Sequence, residues 1–277
     1  WNRDTGWAGL RFIASGADDV LSHCWLSYAK KGTTLAPRRG SETRAPVFGT
    51  TLEDLRGGAI YCQTSSPTIE GCKITNNLGD IAGAIYCYGG SPAIDNTLIA
   101  NNSSLGGSPR CSGVCCYGSG SVRLQNCTIV HNSPGGIFAA SWDGMTVTNS
   151  IVWGNEMYQI QTDESWPEVT FCNVQGGWAG TGNMAAQPRF LSPSGGAGID
   201  YDGLAAQWAL GSDSPCINAG TLIEDLPAAD LAGGARVHSH VTDLGAYENQ
   251  SDLPLLTVTP ALTADVGFVP LDTSGTV

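Results

Sequence analysis

The chain has 277 residues, 42% of them hydrophobic, enough to bury a sizeable core as one large domain or two. Its formal net charge of −12, from 25 acidic against 13 basic residues, disfavours nucleic-acid binding, because a phosphate backbone recruits a basic stripe. No apolar run approaches the ~20 residues of a membrane-spanning helix, and 37 glycines fit a turn-rich β protein.

Trp1 is preceded by no Met, basic n-region or signal peptide, which reads as a mature or trimmed form. Leu21 to Leu26 align with Ile69 to Ile74 and put Cys24 in the column of Cys72, so a coil is already under way near the start. From Lys30 to Arg56 the chain turns to Gly, Thr, Pro and Arg, which reads as a lateral loop in preference to a further coil. Arg38, Arg39 and Arg44 form either a solvated surface there or a site for an acidic glycan.

GGAIYCQTSSPTIEGCKITNN at Gly57 to Asn77 then recurs as AGAIYCYGGSPAIDNTLIANN at Ala82 to Asn102. Ile60 falls over Ile85, Cys62 over Cys87 and Asn77 over Asn102, each 25 residues on. A period in the twenties marks a solenoid with one coil per repeat. Further windows begin at Gly113, Gly135 and Glu168.

Side chains alternate along a strand, so Ile60, Ile85, Val114 and Ile137 form one inward column, and Cys72, Thr97, Cys127, Ser150 and Cys172 another. Asn77, Asn102, Asn132 and Asn155 recur at one corner and Asn96, Asn126 and Asn149 at a second. Asn tolerates left-handed turns and can bond to its own kind one rung along, so both columns read as structural ladders. Cys62, Cys87 and Cys116 stack as free thiols, since in-register side chains make poor disulfide torsions, and Cys111 with Cys115 is the better disulfide candidate.

The GG-[AG]-I-Y-C and I-x-x-N-N pieces across residues 8 to 175 resemble the right-handed parallel β-helix repeat proteins of bacterial surfaces and secretomes. The expected fold is an all-β right-handed parallel β-helix over 1–175, with 30–56 as the loop. Residues 176–249 form an irregular closing segment, and 250–277 an extended tail. SPCINAG at Ser214, DLAGGARV at Asp230 and DLGAYE at Asp243 look like the terminal segment that precedes an anchoring or sorting region in that group. The tail resembles the opening strands of an immunoglobulin-like module, or docks as an added strand. The resemblance implies an extracellular or bacterial-surface location, polysaccharide or surface-glycan partners, and self-association through docked strands or β-helix ends.

Related folds also cleave polysaccharides with outward carboxylates, calcium and a basic residue. Glu70 and Asp95 share an outward column, with Lys73 and Arg123 expected on the same sheet, as a catalytic group in the enzymatic alternative. Calcium is a possible ligand there. Scattered histidines (His23, His131, His238, His240) without a matching CxxC argue against zinc. Tyr61, Tyr86, Tyr88, Tyr117 and Phe138 form an outward aromatic strip expected to be exposed and to stack sugars. Leu98, Val130, Ile151 and Trp153 form a second outward apolar set. A covering segment is the plainer account of both sets. The leading expectation is a noncatalytic scaffold for adhesion or self-assembly.

Overall fold

The computed structural model describes residues 9–16, 18–29, 57–106, 111–141, 143–163, 165–238 and 241–251. Among the described residues six coils follow one another. They comprise β1 (Leu10–Ile13), β2 (Val20–Ser22) and β3 (Trp25–Ser27); β4 (Ile60–Gln63), β5 (Thr68–Glu70) and β6 (Lys73–Thr75), followed by β7 (Leu78–Gly79); and β8 (Ile85–Tyr88), β9 (Ala93–Asp95) and β10 (Leu98–Ala100), followed by β11 (Ser103–Ser104). Then come β12 (Val114–Gly118), β13 (Val122–Gln125) and β14 (Thr128–Val130); β15 (Gly135–Ser141), β16 (Met145–Thr148) and β17 (Ile151–Trp153); and β18 (Tyr158–Thr162), β19 (Glu168–Thr170) and β20 (Asn173–Val174). An antiparallel pair, β21 (Phe190–Ser192) and β22 (Gln207–Leu210), lies beyond.

Each coil gives one strand to each of three parallel six-stranded sheets, ordered β1-β4-β8-β12-β15-β18, β2-β5-β9-β13-β16-β19 and β3-β6-β10-β14-β17-β20. The fold is therefore the expected all-β right-handed parallel β-helix. Ile60, Ile85, Val114 and Ile137 pair in register, and Ile160 extends the column. β18 goes beyond the sequence reading, where Gln159 and Gln161 dilute the apolar signal.

Corners keep the strands short. His23, Gly71, Asn96, Asn126, Asn149 and Phe171 end the second-sheet strands, and Tyr28, Asn76, Asn101, His131 and Gly154 the third-sheet strands, all at positive φ. Asn and Gly suit this left-handed geometry. Two corner glycines also make room for a ring: a Cβ on Gly71 would lie 3.2 Å from His23, and one on Gly154 2.3 Å from His131.

The inner core joins the Ile, Val and Leu columns to Cys62, Cys87, Cys116, Cys72, Cys127 and Cys172. At the Cys72 corner a side chain on one rung accepts the amide of the rung before it. Cys72 N donates to Thr97 Oγ1 (3.3 Å), Cys127 N to Ser150 Oγ (3.0 Å) and Ser150 N to Cys172 Sγ (3.4 Å). A small side chain with an acceptor both fills that corner and satisfies a buried donor. All ten cysteines are free thiols. The Cys111–Cys115 disulfide is thus corrected; both thiols lie with Tyr86 and Phe138 in one apolar cluster.

One asparagine column forms a continuous buried ladder. Asn77 Nδ2 donates to Asn102 Oδ1 (2.9 Å), Asn102 to Asn132 (2.9 Å), Asn132 to Asn155 (3.0 Å) and Asn155 to Gln159 Oε1 (2.8 Å). The second proton of each amide goes to a mid-strand carbonyl of the preceding rung: Leu26, Ile74, Ile99 and Ile129.

The other expected ladder is not one. Asn96 Nδ2 donates to Ala229 O (3.1 Å), Asn126 Oδ1 accepts from Arg236 Nη2 (3.4 Å), and Asn149 exchanges two 2.8 Å bonds with the backbone of Thr221. A left-handed corner turns these amides away from the core, so they meet the C-terminal segment.

That segment does more than close the last coil. Residues 180–186 stand in for a seventh rung: Asn183 Oδ1 accepts Cys172 N (2.9 Å), and Met184 N donates to Cys172 O (2.8 Å). The chain then makes two out-and-back excursions along the edges of the third sheet. The first reaches His131, Asn101 and Asn76 and returns to Asn173, where Nδ2 donates to Cys216 Sγ (3.0 Å). The second reaches Asn149 and Asn96 and returns past Asn126 to Thr128. Between them Trp208, Leu210, Leu244, Ala246 and Tyr247 seal Leu98, Val130 and Ile151, with Trp153 packed at the margin. The second outward apolar set is therefore covered by the chain itself.

A buried charge cluster holds this strap. Arg236 donates through Nη2 to Asp243 O and Gly245 O (both 2.8 Å) and through Nε to Thr242 Oγ1 (3.1 Å), with Glu248 at 3.9 Å. Asp230, Asp243 and Glu248 each accept backbone amides. The DLAGGARV and DLGAYE stretches supply these residues. Burial lowers Arg236 and raises Glu248 to about 7, so at 3.9 Å the ion pair does not outweigh desolvation.

Candidate functional site

The outer face of the second sheet carries Glu70, Asp95, Gln125, Thr148 and Thr170 in one in-register column, and Thr68, Ala93, Arg123, Thr146 and Glu168 in the other. Inward Ile69, Ile94, Leu124, Val147 and Val169 alternate with them and anchor each rung. The result is a polar surface of in-register columns anchored from beneath by the core.

Within it Arg123 Nη2 donates to Asp95 Oδ2 (2.8 Å) while Nη1 donates to Gln125 Oε1 (2.8 Å). Asp95 Oδ1 is buried without a hydrogen-bond partner. Burial raises Asp95 to about 6; Arg123 pulls it down, and Glu70 and Asp225 push it further up. Desolvation exceeds the attraction of a half-exposed guanidinium. Asp225 belongs to the strap, so the closing segment adds negative charge at the edge of this face.

Lys73 is misplaced in the sequence expectation. The Gly71–Cys72 corner carries the chain to the third sheet, where Lys73 pairs with Trp25 and Leu98, its ammonium 5.0 Å from the Trp25 ring centroid. Of the four expected catalytic residues, the second sheet holds Glu70, Asp95 and Arg123. For calcium, Arg123 already holds one Asp95 oxygen. Among the described residues no group of three or more His, Cys, Asp or Glu side chains could hold a metal ion.

The aromatic strip exists as a stack but is not exposed. Ring centroids step from Tyr61 to Tyr86 (5.8 Å), Tyr86 to Tyr117 (5.9 Å) and Tyr117 to Phe138 (5.2 Å). Cys115 takes the register position between Tyr86 and Phe138, and Tyr117 spans the gap from the neighbouring position. Tyr61, Tyr86 and Phe138 are only 2%, 3% and 3% exposed, and Ile81, Ala82 and Cys111 pack against them. Exposure is corrected for these three; Tyr117 is half-buried, and Tyr88 alone of the five is open, at 47%. Arg38, Arg39, Arg44 and the tail after Ser251 lie outside the described residues.

Two indoles escaped sequence reasoning. Trp166 lies in the turn between β18 and β19, and its ring centroid is 5.9 Å from that of Trp178, at 43°. A Trp–Pro pair in a polar turn was the available signal.

The family described as "Right handed beta helix region" matches residues 38–182, which is 145 of 277 residues. The chain belongs to that family. No curated protein and no solved structure matches it. Among the described residues no helix is long and apolar enough to cross a membrane.

Proposed function

We propose that this chain is a noncatalytic extracellular β-helix scaffold in bacterial surface adhesion or self-assembly, contacting glycans through the outer face of the second sheet. One observation carries the reading. The chain's own residues bury most of the outward apolar sets of the first and third sheets, leaving the hydroxyl-, amide- and charge-lined second sheet as the broad regular surface among the described residues. Polar and in register over five rungs, it suits an extended polymer better than a small molecule, which takes a concave site. Self-association would use an end of the β-helix, where a strand of a second copy could add to a sheet edge.

The test is retention of the purified chain on bacterial surfaces and on a glycan array, with light scattering over a range of concentrations. Binding or assembly is expected. A chain that stays monomeric and binds neither surfaces nor glycans overturns the reading.

One observation favours a second reading, glycan cleavage. Asp95, raised to about 6, sits in register with Glu70 one rung away, so one carboxyl could donate a proton while the other acts as base. Turnover of a polysaccharide that is lost in Asp95→Asn and Glu70→Gln would establish that reading instead.

A further inference from the structure

We propose that Trp166 and Trp178 form a stacking site for a neutral pyranose unit of a polysaccharide. This rests on the glycan-contacting reading above and narrows it to a substrate class and a place.

Trp166 is 79% exposed, the most open large apolar side chain among the described residues. Residues on either side of it are nonetheless held. Asp163 N donates to Ala139 O (3.0 Å), Ser165 Oγ reaches the same carbonyl (3.2 Å), and Pro167 is buried. Trp178, half-buried, packs on the C-terminal end of the inner core. One indole is thus packed on the core and the other flanked by anchored residues, so little order would be lost on binding.

The surroundings select the occupant. An indole face is electronegative and meets the C–H-rich face of a sugar ring, whose hydroxyls then need partners at the rim. Asp163 and Glu168 are exposed beside the turn and can accept them. The hydroxyls of Thr170 and Thr148, 3.4 Å apart, continue the polar surface along the second sheet. These acids, on a chain of net charge −12, repel polyanionic glycans. A protein partner fits poorly: two indoles offer roughly 300–500 Å² together, against about 800 Å² per partner in a stable interface.

The experiment titrates the full chain with cellohexaose, xylohexaose, mannohexaose and a hexamer of galacturonate, following tryptophan fluorescence and calorimetry. At least one neutral hexamer is expected to bind and shift the emission, and the galacturonate hexamer is not. Trp166→Ala should weaken binding by about tenfold or more without lowering the melting temperature, Trp166→Tyr by less, and Trp25→Ala, which removes an exposed indole of the third sheet, should leave it unchanged. Equal binding by Trp166→Ala overturns the stacking site while leaving glycan contact at the second sheet intact. Preference for galacturonate, or a dimer that Trp166→Ala dissolves, also overturns it. If no glycan binds in these titrations or on the array, site and glycan contact fall together.

Discussion

The asparagines at the two kinds of corner share a residue type and a repeat, yet do opposite things. Asn77, Asn102, Asn132 and Asn155 point inward and satisfy one another over separations of 23 to 30 residues. Asn96, Asn126 and Asn149 turn outward and hold the strap, over separations of 133, 110 and 72 residues. An amide is useful at either place because it carries both donors and acceptors. Its partner is set by the side of the wall it faces, so periodicity alone does not reveal the role.

The sharpest break comes from Asn102→Leu. It keeps the heavy-atom count but leaves Asn77 N without its acceptor and takes one bond each from Asn77 Nδ2, Asn132 Oδ1 and the Ile74 carbonyl inside the coil. A loss of roughly 3–5 kcal/mol is expected in urea unfolding, with exchange protection falling along the whole β-helix. A loss under ~1 kcal/mol would show that water or relaxation replaces the ladder. Asn149→Ala should act more locally. Two bonds to Thr221 go, costing about 1–2 kcal/mol, and hydrogen exchange should rise over residues 214–248 while the coils stay protected. Equal effects on strap and coils would erase the distinction between the two columns.

A third effect is on pH. Glu248 is raised to about 7 from its ordinary 4.5, so its contribution to folding is complete below about 4.5 and is lost as pH rises through about 7. Asp243 and Asp95 are raised too and share that sign. His131, lowered by burial, has the opposite sign and loses its contribution as pH falls. Intrinsic-rate-corrected exchange of the strap should therefore increase from pH 5.5 to pH 8, and Glu248→Gln should flatten the rise. Opening confined to the acid side would make His131 the dominant group.

The β-helix was legible because its contacts repeat at short, regular separations: Ile60 predicts Ile85, and Ile85 predicts Val114. Inside and outside were legible from alternation, down to the Glu70–Asp95 register. What covers the outside was not. Tyr61 and Tyr86 point outward as their spacing requires, but Ile81 and Cys111, from irregular turns, pack on them. Lys73 falls on the next sheet because two residues, Gly71 and Cys72, suffice to turn the corner. The strap's path, and hence the burial of Leu98 and Ile151, depends on single contacts such as Arg236 with Asn126 that no period announces.

The two excursions of the strap also act as a ruler. Their grips fall on particular rungs, from Asn173 back to Asn76 and from Asn149 back to Asn96. Duplicating or deleting a coil between these grips, ordinarily the easiest way for a repeat array to change length, would shift them by a full rung of ~4.8 Å. The number of turns in this stretch can therefore change only together with the segment that measures it.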